Sequence, residues 1–185
     1  MATDPAISRD PNLDAVRESF GRVVYSHKTH EKAREIASYR VTFVKVTNIV
    51  LTTLTSATLI STLITSQRPL LYVSSVLSFL TLAFVLVQLS FDPAADAERH
   101  RATAKELWYV RERYINLLAD YKASPASVDL PKRRDELIEA LKKIYALAPN
   151  TSSGAYAAAQ KALKVNEDLT FSDDEINAFL PDSLH

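Results

Sequence analysis

The sequence predicts an all-α membrane protein: a two-span transmembrane helical hairpin with long cytosolic helical extensions. Three observations carry this reading. Two uncharged apolar runs stand almost back to back, Val46 to Gln67 between Lys45 and Arg68, and Pro69 to Phe91 between Arg68 and Asp92. As helices each would reach about 33 Å, against a hydrocarbon core of about 30 Å. Charge is segregated: 24% of the 185 residues are Asp, Glu, Lys or Arg, yet none falls within either run. No stretch alternates apolar and polar residues as a strand would.

The elements follow in order. Residues 1–11 are polar and proline-punctuated, and disorder is expected there. Asp10 can cap a helix with Pro11 in its first turn. Leu13, Val16, Phe20, Val23 and Val24 then recur at helical spacing, with Gly21 a local weak point. From His27 to Lys45 the chain is charged but still helix-prone, with a narrow apolar stripe at Ala33, Ile36, Ala37 and Val41. Nothing breaks the pattern, so residues 12–45 read as a cytosolic helix leading into the membrane. The first span is 46–67, the external turn 68–69 and the second span 70–91.

The spans differ in strength. Residues 69–91 hold fourteen Leu, Val and Phe, which sum to about −6 kcal/mol on an insertion scale. Residues 46–66 hold nine Leu, Ile and Val among many hydroxyls, nearer to about −4 kcal/mol before those hydroxyls count against it. The first span is marginal alone and is expected to insert with the second.

Asp92-Pro93 ends the second span, and residues 92–185 form a cytosolic helical region. Residues 94–122 carry a heptad-like seam of Leu107, Val110, Tyr114, Leu117, Leu118 and Tyr121. That seam could join copies of the chain or pack within one. Ser124 to Ser127 is a loop. Pro131 opens a helix to Leu147 with Leu137, Leu141, Ile144 and Tyr145 inward. A short alanine-rich helix covers 155–163. Ser172 and Glu175 form a capping box for a last helix from Asp173 to Leu180, stopped by Pro181.

Lys and Arg near the span ends set orientation. Arg34, Arg40 and Lys45 flank one end, and Arg99, Arg101 and Lys105 the other. The turn carries Arg68 alone. Both termini are therefore expected in the cytosol. No signal peptide is expected, since the first apolar run begins after about forty residues. No lipidation motif is expected either.

The polar residues within the spans lie in stripes. Thr47, Thr55, Thr58, Thr62 and Thr65 share one helical face. Ser74, Ser78, Thr81 and Gln88 share another. Such residues let helices approach and hydrogen-bond, or they face water in a pore. One hairpin cannot enclose a channel, so a pore needs several copies. Gln88 is the residue least suited to lipid and should face protein or water.

Much chemistry is excluded. Lys plus Arg and Asp plus Glu both number 22, which leaves no general basic field for nucleic acid. The absence of cysteine removes disulfides and thiolate–metal sites. Two glycines are too few for phosphate-cradling loops of the usual kinds. His27 and His30 have a spacing that could chelate with a third ligand, but exposed histidines on a charged helix are the simpler expectation. His100 and Glu98 read as a solvated helix start. Trp108 and Tyr109 read as core or membrane-proximal packing. No catalytic residue, metal or cofactor is expected, so the chain does not read as an enzyme.

The order of parts resembles the SLATT family of two-transmembrane effector domains. The resemblance rests on His30-Glu31-Lys32-Ala33, on Asn48 near the start of a threonine-rich first span, and on the run His100 to Trp108. Arg111-Glu112-Arg113-Tyr114 and Leu117-Leu118-Ala119-Asp120 extend it. Further pieces are Arg134 to Leu137, Ala148 to Thr151, Ala159 to Leu163 and Phe171 to Ile176, as in a longer-tailed branch. It covers residues 20–181 and implies a homo-oligomeric effector of a bacterial defence system. Such an effector perforates or depolarises the inner membrane when a nucleotide-sensing or nucleotidyltransferase partner signals. The alternative is a non-conducting anchor whose cytosolic helices recruit a partner enzyme.

Overall fold

A computed structural model describes residues 10–179 and Pro181. Among them the chain is helical, with no strand. Six α-helices run in order: α1 Pro11–Thr65, α2 Arg68–Ser90, α3 Pro93–Ala123, α4 Leu130–Leu147, α5 Ser153–Lys164 and α6 Asp173–Phe179. A single 3₁₀ turn, Pro125–Ser127, links α3 to α4.

The helix ends follow local chemistry. Asp10 and Pro11 open α1, and the Asp10 carboxylate accepts from the Asn12 amide at 2.9 Å. The rest of the N-terminal stretch expected to be disordered lies outside the described residues, as does the expected end of the last helix at Leu180. The Asp92 carboxylate caps α3 by accepting from Ala94 and Ala95 at 3.1 and 2.9 Å. Asp129 caps α4 through the Lys132 amide, and Ser152 caps α5 through Ala155. The capping box closes both ways, Ser172 amide to Glu175 at 2.8 Å and Glu175 amide to Ser172 at 3.3 Å.

The chain divides into two compact units. One takes the described residues up to Lys32 and from Ala102 onward; the other is Ala33–Arg101. In the first, Val16 and Val23 of α1, Val110, Tyr114 and Leu117 of α3, and Leu130 and Leu137 of α4 form the core. Burying each large apolar side chain stabilises by about 1.5–3 kcal/mol. On α5, Ala155, Ala159 and Ala162 supply one buried, closely packed face. Specific tethers fix the layers: Tyr121 donates to Asp10 at 2.8 Å, Arg134 to Asn12 at 2.9 Å and Tyr145 to Ser26 at 2.9 Å. Tyr25 and Tyr156 stack with ring centres 6.1 Å apart.

The second unit is built on the hairpin of α1 and α2. The chain reverses at Ser66-Gln67, two residues before the expected turn at Arg68-Pro69. Proline is tolerated in the first turn of a helix, where its missing N–H has no intrahelical role. Arg68 and Pro69 therefore open α2 and do not form the turn. The reversal falls on Ser66, held at φ 53°, with its amide on the Thr62 carbonyl at 2.9 Å. Neither glycine of the chain is nearby.

Candidate functional site: a membrane hairpin with a polar seam

The hairpin exposes most of its large apolar side chains and holds a row of polar residues between its helices. The apolar stretches of α1 and α2 are almost wholly unburied. Leu63, Ile64 and Leu89 are 77–80% exposed. A monomer in water rarely shows contiguous apolar surface on this scale. The surface is suited to lipid.

Between the helices, Asn48 and Gln88 form a reciprocal amide pair. The Asn48 amide donates to Gln88 at 2.8 Å, and the Gln88 amide donates back at 3.0 Å. Seven residues further along α1, and seven earlier on α2, the hydroxyls of Thr55 and Thr81 meet at 3.3 Å. Another seven-residue step reaches Thr62, half-buried, and Ser74, 3% exposed. A seven-residue repeat is the spacing at which two helices keep one seam together. In hydrocarbon each unsatisfied polar group would cost several kcal/mol, so pairing across the seam favours one register.

Most of the stripe hydroxyls also bond their own helix. Thr55 donates to the Leu51 carbonyl at 2.8 Å, Thr58 to Leu54 at 2.9 Å and Thr62 to Thr58 at 2.8 Å. Thr65 donates to Ser61 at 2.7 Å, Ser74 to Leu71 at 2.9 Å and Thr81 to Leu77 at 2.8 Å. Thr47 and Thr58 are half-buried, whereas Thr65 and Ser78 are exposed. The structure thus brings Thr55, Thr62, Ser74, Thr81 and Gln88 to the seam and leaves Thr65 and Ser78 outside it. Asn48 completes the set. Its amide, alone in a run otherwise free of amides before Gln67, was the sequence signal that a partner was needed.

The residues of the α3 seam lie inside the first unit. Leu107, Val110 and Tyr114 are at most 2% exposed, and Leu117 is buried. Leu118 and Tyr121 pack against the same core. Trp108 and Tyr109, expected in a core or beside the membrane, are 50% and 58% exposed and so are not core residues. They lie on the face of α3 opposite Leu107 and Val110.

A polar layer is buried where exposed histidines were expected. His27, Lys28, Thr29 and His30 are each at most 8% exposed. The Lys28 ammonium lies 2.9 Å from Asp168 and 3.0 Å from Glu31. Burial pushes this ammonium down, but the bonds to Asp168 and Glu31 outweigh it and hold it above the usual lysine range. Lys28 in turn holds Asp168 below the usual carboxylate range. Burial keeps His27 below the usual imidazole range despite Glu31 at 3.8 Å. In the second unit His100 is also buried, not solvated, and burial lowers it in the same way. Among the described residues, no three His, Asp or Glu side chains gather as a metal site.

The model of the SMODS and SLOG-associating 2TM effector domain family 4 matches residues 13–175. Neither a curated protein nor a solved structure matches the chain.

Proposed function

The chain belongs to that family of two-transmembrane effector domains, and from this membership and the hairpin we propose that it is a self-associating effector of the bacterial inner membrane. In a nucleotide-signalled defence system, a nucleotide-sensing or nucleotidyltransferase partner would trigger it through the cytosolic unit. Copies would then assemble and breach the bilayer, with both termini in the cytosol. The observation that supports this most is the hairpin's exposed apolar surface around a polar seam, on two apolar helical stretches long enough to cross a bilayer. Strong induction in bacteria should collapse the membrane potential, read with a voltage-sensitive dye. Thr58→Leu with Ser78→Leu should reduce that leak while insertion is preserved. An unchanged leak at equal membrane abundance rejects these two as lining residues.

A second reading is a non-conducting anchor that recruits a partner enzyme. The seam favours it, because the stripe hydroxyls are bonded within the hairpin and few are left to line water. It expects an unrelated two-span hairpin to replace residues 46–91 with function intact.

A further inference from the structure

A groove of about 540 Å³ lies within the second unit where the hairpin meets α3. Its wall is Phe43, Val44, Phe84, Val87 and Phe91, and its mouth holds Arg40, Arg99, Asp92 and Asp96. Phe43, Val87 and Phe91 are 66%, 56% and 71% exposed, so the wall is open at these three side chains, while Val44 and Phe84 are half-buried. The volume is within the range of small-molecule sites, roughly 300–1,000 Å³.

We propose that this groove binds one phospholipid with a primary-amine, zwitterionic headgroup, an acyl chain along the phenylalanines and the headgroup among the four charges. The inference rests on the membrane reading above. An apolar cleft at the edge of the hydrocarbon region is not filled by water, so a lipid chain is the ready occupant. The mouth carries both signs, and so does an ethanolamine headgroup. Arg40 is exposed, and its guanidinium offers the fork of donors that suits a phosphate. Asp92 spends one carboxylate oxygen on the α3 amides, which leaves the other free to accept from an ammonium. Asp96 has one oxygen 3.8 Å from His100 and can accept likewise. A choline headgroup has no N–H to donate, and a glycerol headgroup has no cation for the carboxylates.

The test is native mass spectrometry of the full chain in detergent, with equimolar ethanolamine, choline and glycerol phospholipids of identical acyl chains. One ethanolamine lipid per chain should be retained in preference to the others. Arg40→Gln should weaken retention at least about tenfold, the value of one charge-assisted hydrogen bond. Val87→Trp, which fills the groove, should abolish it, while helical circular dichroism stays unchanged for both variants. Equal retention of the three lipids, preference for the anionic one, or a wild-type response in both variants overturns the proposal. So does a dimer that forms through this face and sheds the lipid. Carbonate extraction of the same cells separates the two claims: a chain that stays in the membrane but binds no lipid selectively loses only the groove, whereas a chain recovered without detergent loses the membrane reading too.

Discussion

At the scale of single residues, the Asn48–Gln88 pair stabilises the hairpin register. Removing one amide leaves the other without its partner in a poor solvent for polar groups. Asn48→Leu should therefore lower hairpin stability by about 1–2 kcal/mol. The double variant Asn48→Leu with Gln88→Leu should lose less than the two single losses combined, as read by a double-mutant cycle in unfolding from detergent. Additive losses would mean that the pair does not act as a unit. His27 gives a second residue-level prediction. Its folded pKa lies below the unfolded value of about 6.5, so the unfolded chain takes up the proton first. Its contribution is complete above that pH and is lost as pH falls from about 6.5 toward the depressed folded value. Glu31 and Glu112 oppose the shift, while Arg111 and Lys28 reinforce it. Thermal unfolding followed by circular dichroism should show a lower midpoint at pH 5.5 than at pH 7.5, and His27→Gln should narrow the gap. Sequence alone placed this histidine in solvent, because a charged helix gives no sign of which face another helix will cover. Lys28 lies in the same layer because Asp168, 140 residues away, answers its charge.

At the scale of elements, the sequence was legible wherever local chemistry sets an end. Asp92-Pro93, Ser172 with Glu175, and the proline before Lys132 mark helix starts through caps and ring geometry, which need no tertiary partner. The two apolar runs were legible because length and absence of charge suffice to identify them. The hairpin turn was displaced because its device is Ser66 at positive φ, a conformation that the residue type does not announce. That conformation costs a non-glycine residue about 1 kcal/mol or more. Ser66→Gly should thus stabilise the hairpin by about 0.5–1 kcal/mol, measured as a raised unfolding midpoint in detergent. A lowered midpoint would show that the Ser66 side chain matters more than its backbone. The seam between the helices was half-visible. The hydroxyl stripes fix which faces are polar, but their pairing depends on the register that the short reversal imposes.

At the scale of the whole molecule, two units meet different demands. One builds a buried apolar core around Val16, Tyr114 and Leu137 and buries a charged layer held by Lys28. The other turns its large apolar residues outward and pairs Asn48 with Gln88 and Thr55 with Thr81 inward, an arrangement suited to a solvent without water. The chain contains no cysteine, so single cysteines can report on this arrangement without background. Leu54→Cys and Phe79→Cys probe the span surface, Gln67→Cys the reversal and Asp129→Cys the unit proposed to lie in the cytosol. Labelling with a membrane-impermeant maleimide should modify Gln67→Cys in intact cells and Asp129→Cys only in inverted vesicles. Leu54→Cys and Phe79→Cys should stay unmodified in both until detergent is added. Labelling of Leu54→Cys and Phe79→Cys in sealed vesicles, at the rate seen for Asp129→Cys, would contradict a bilayer around the hairpin.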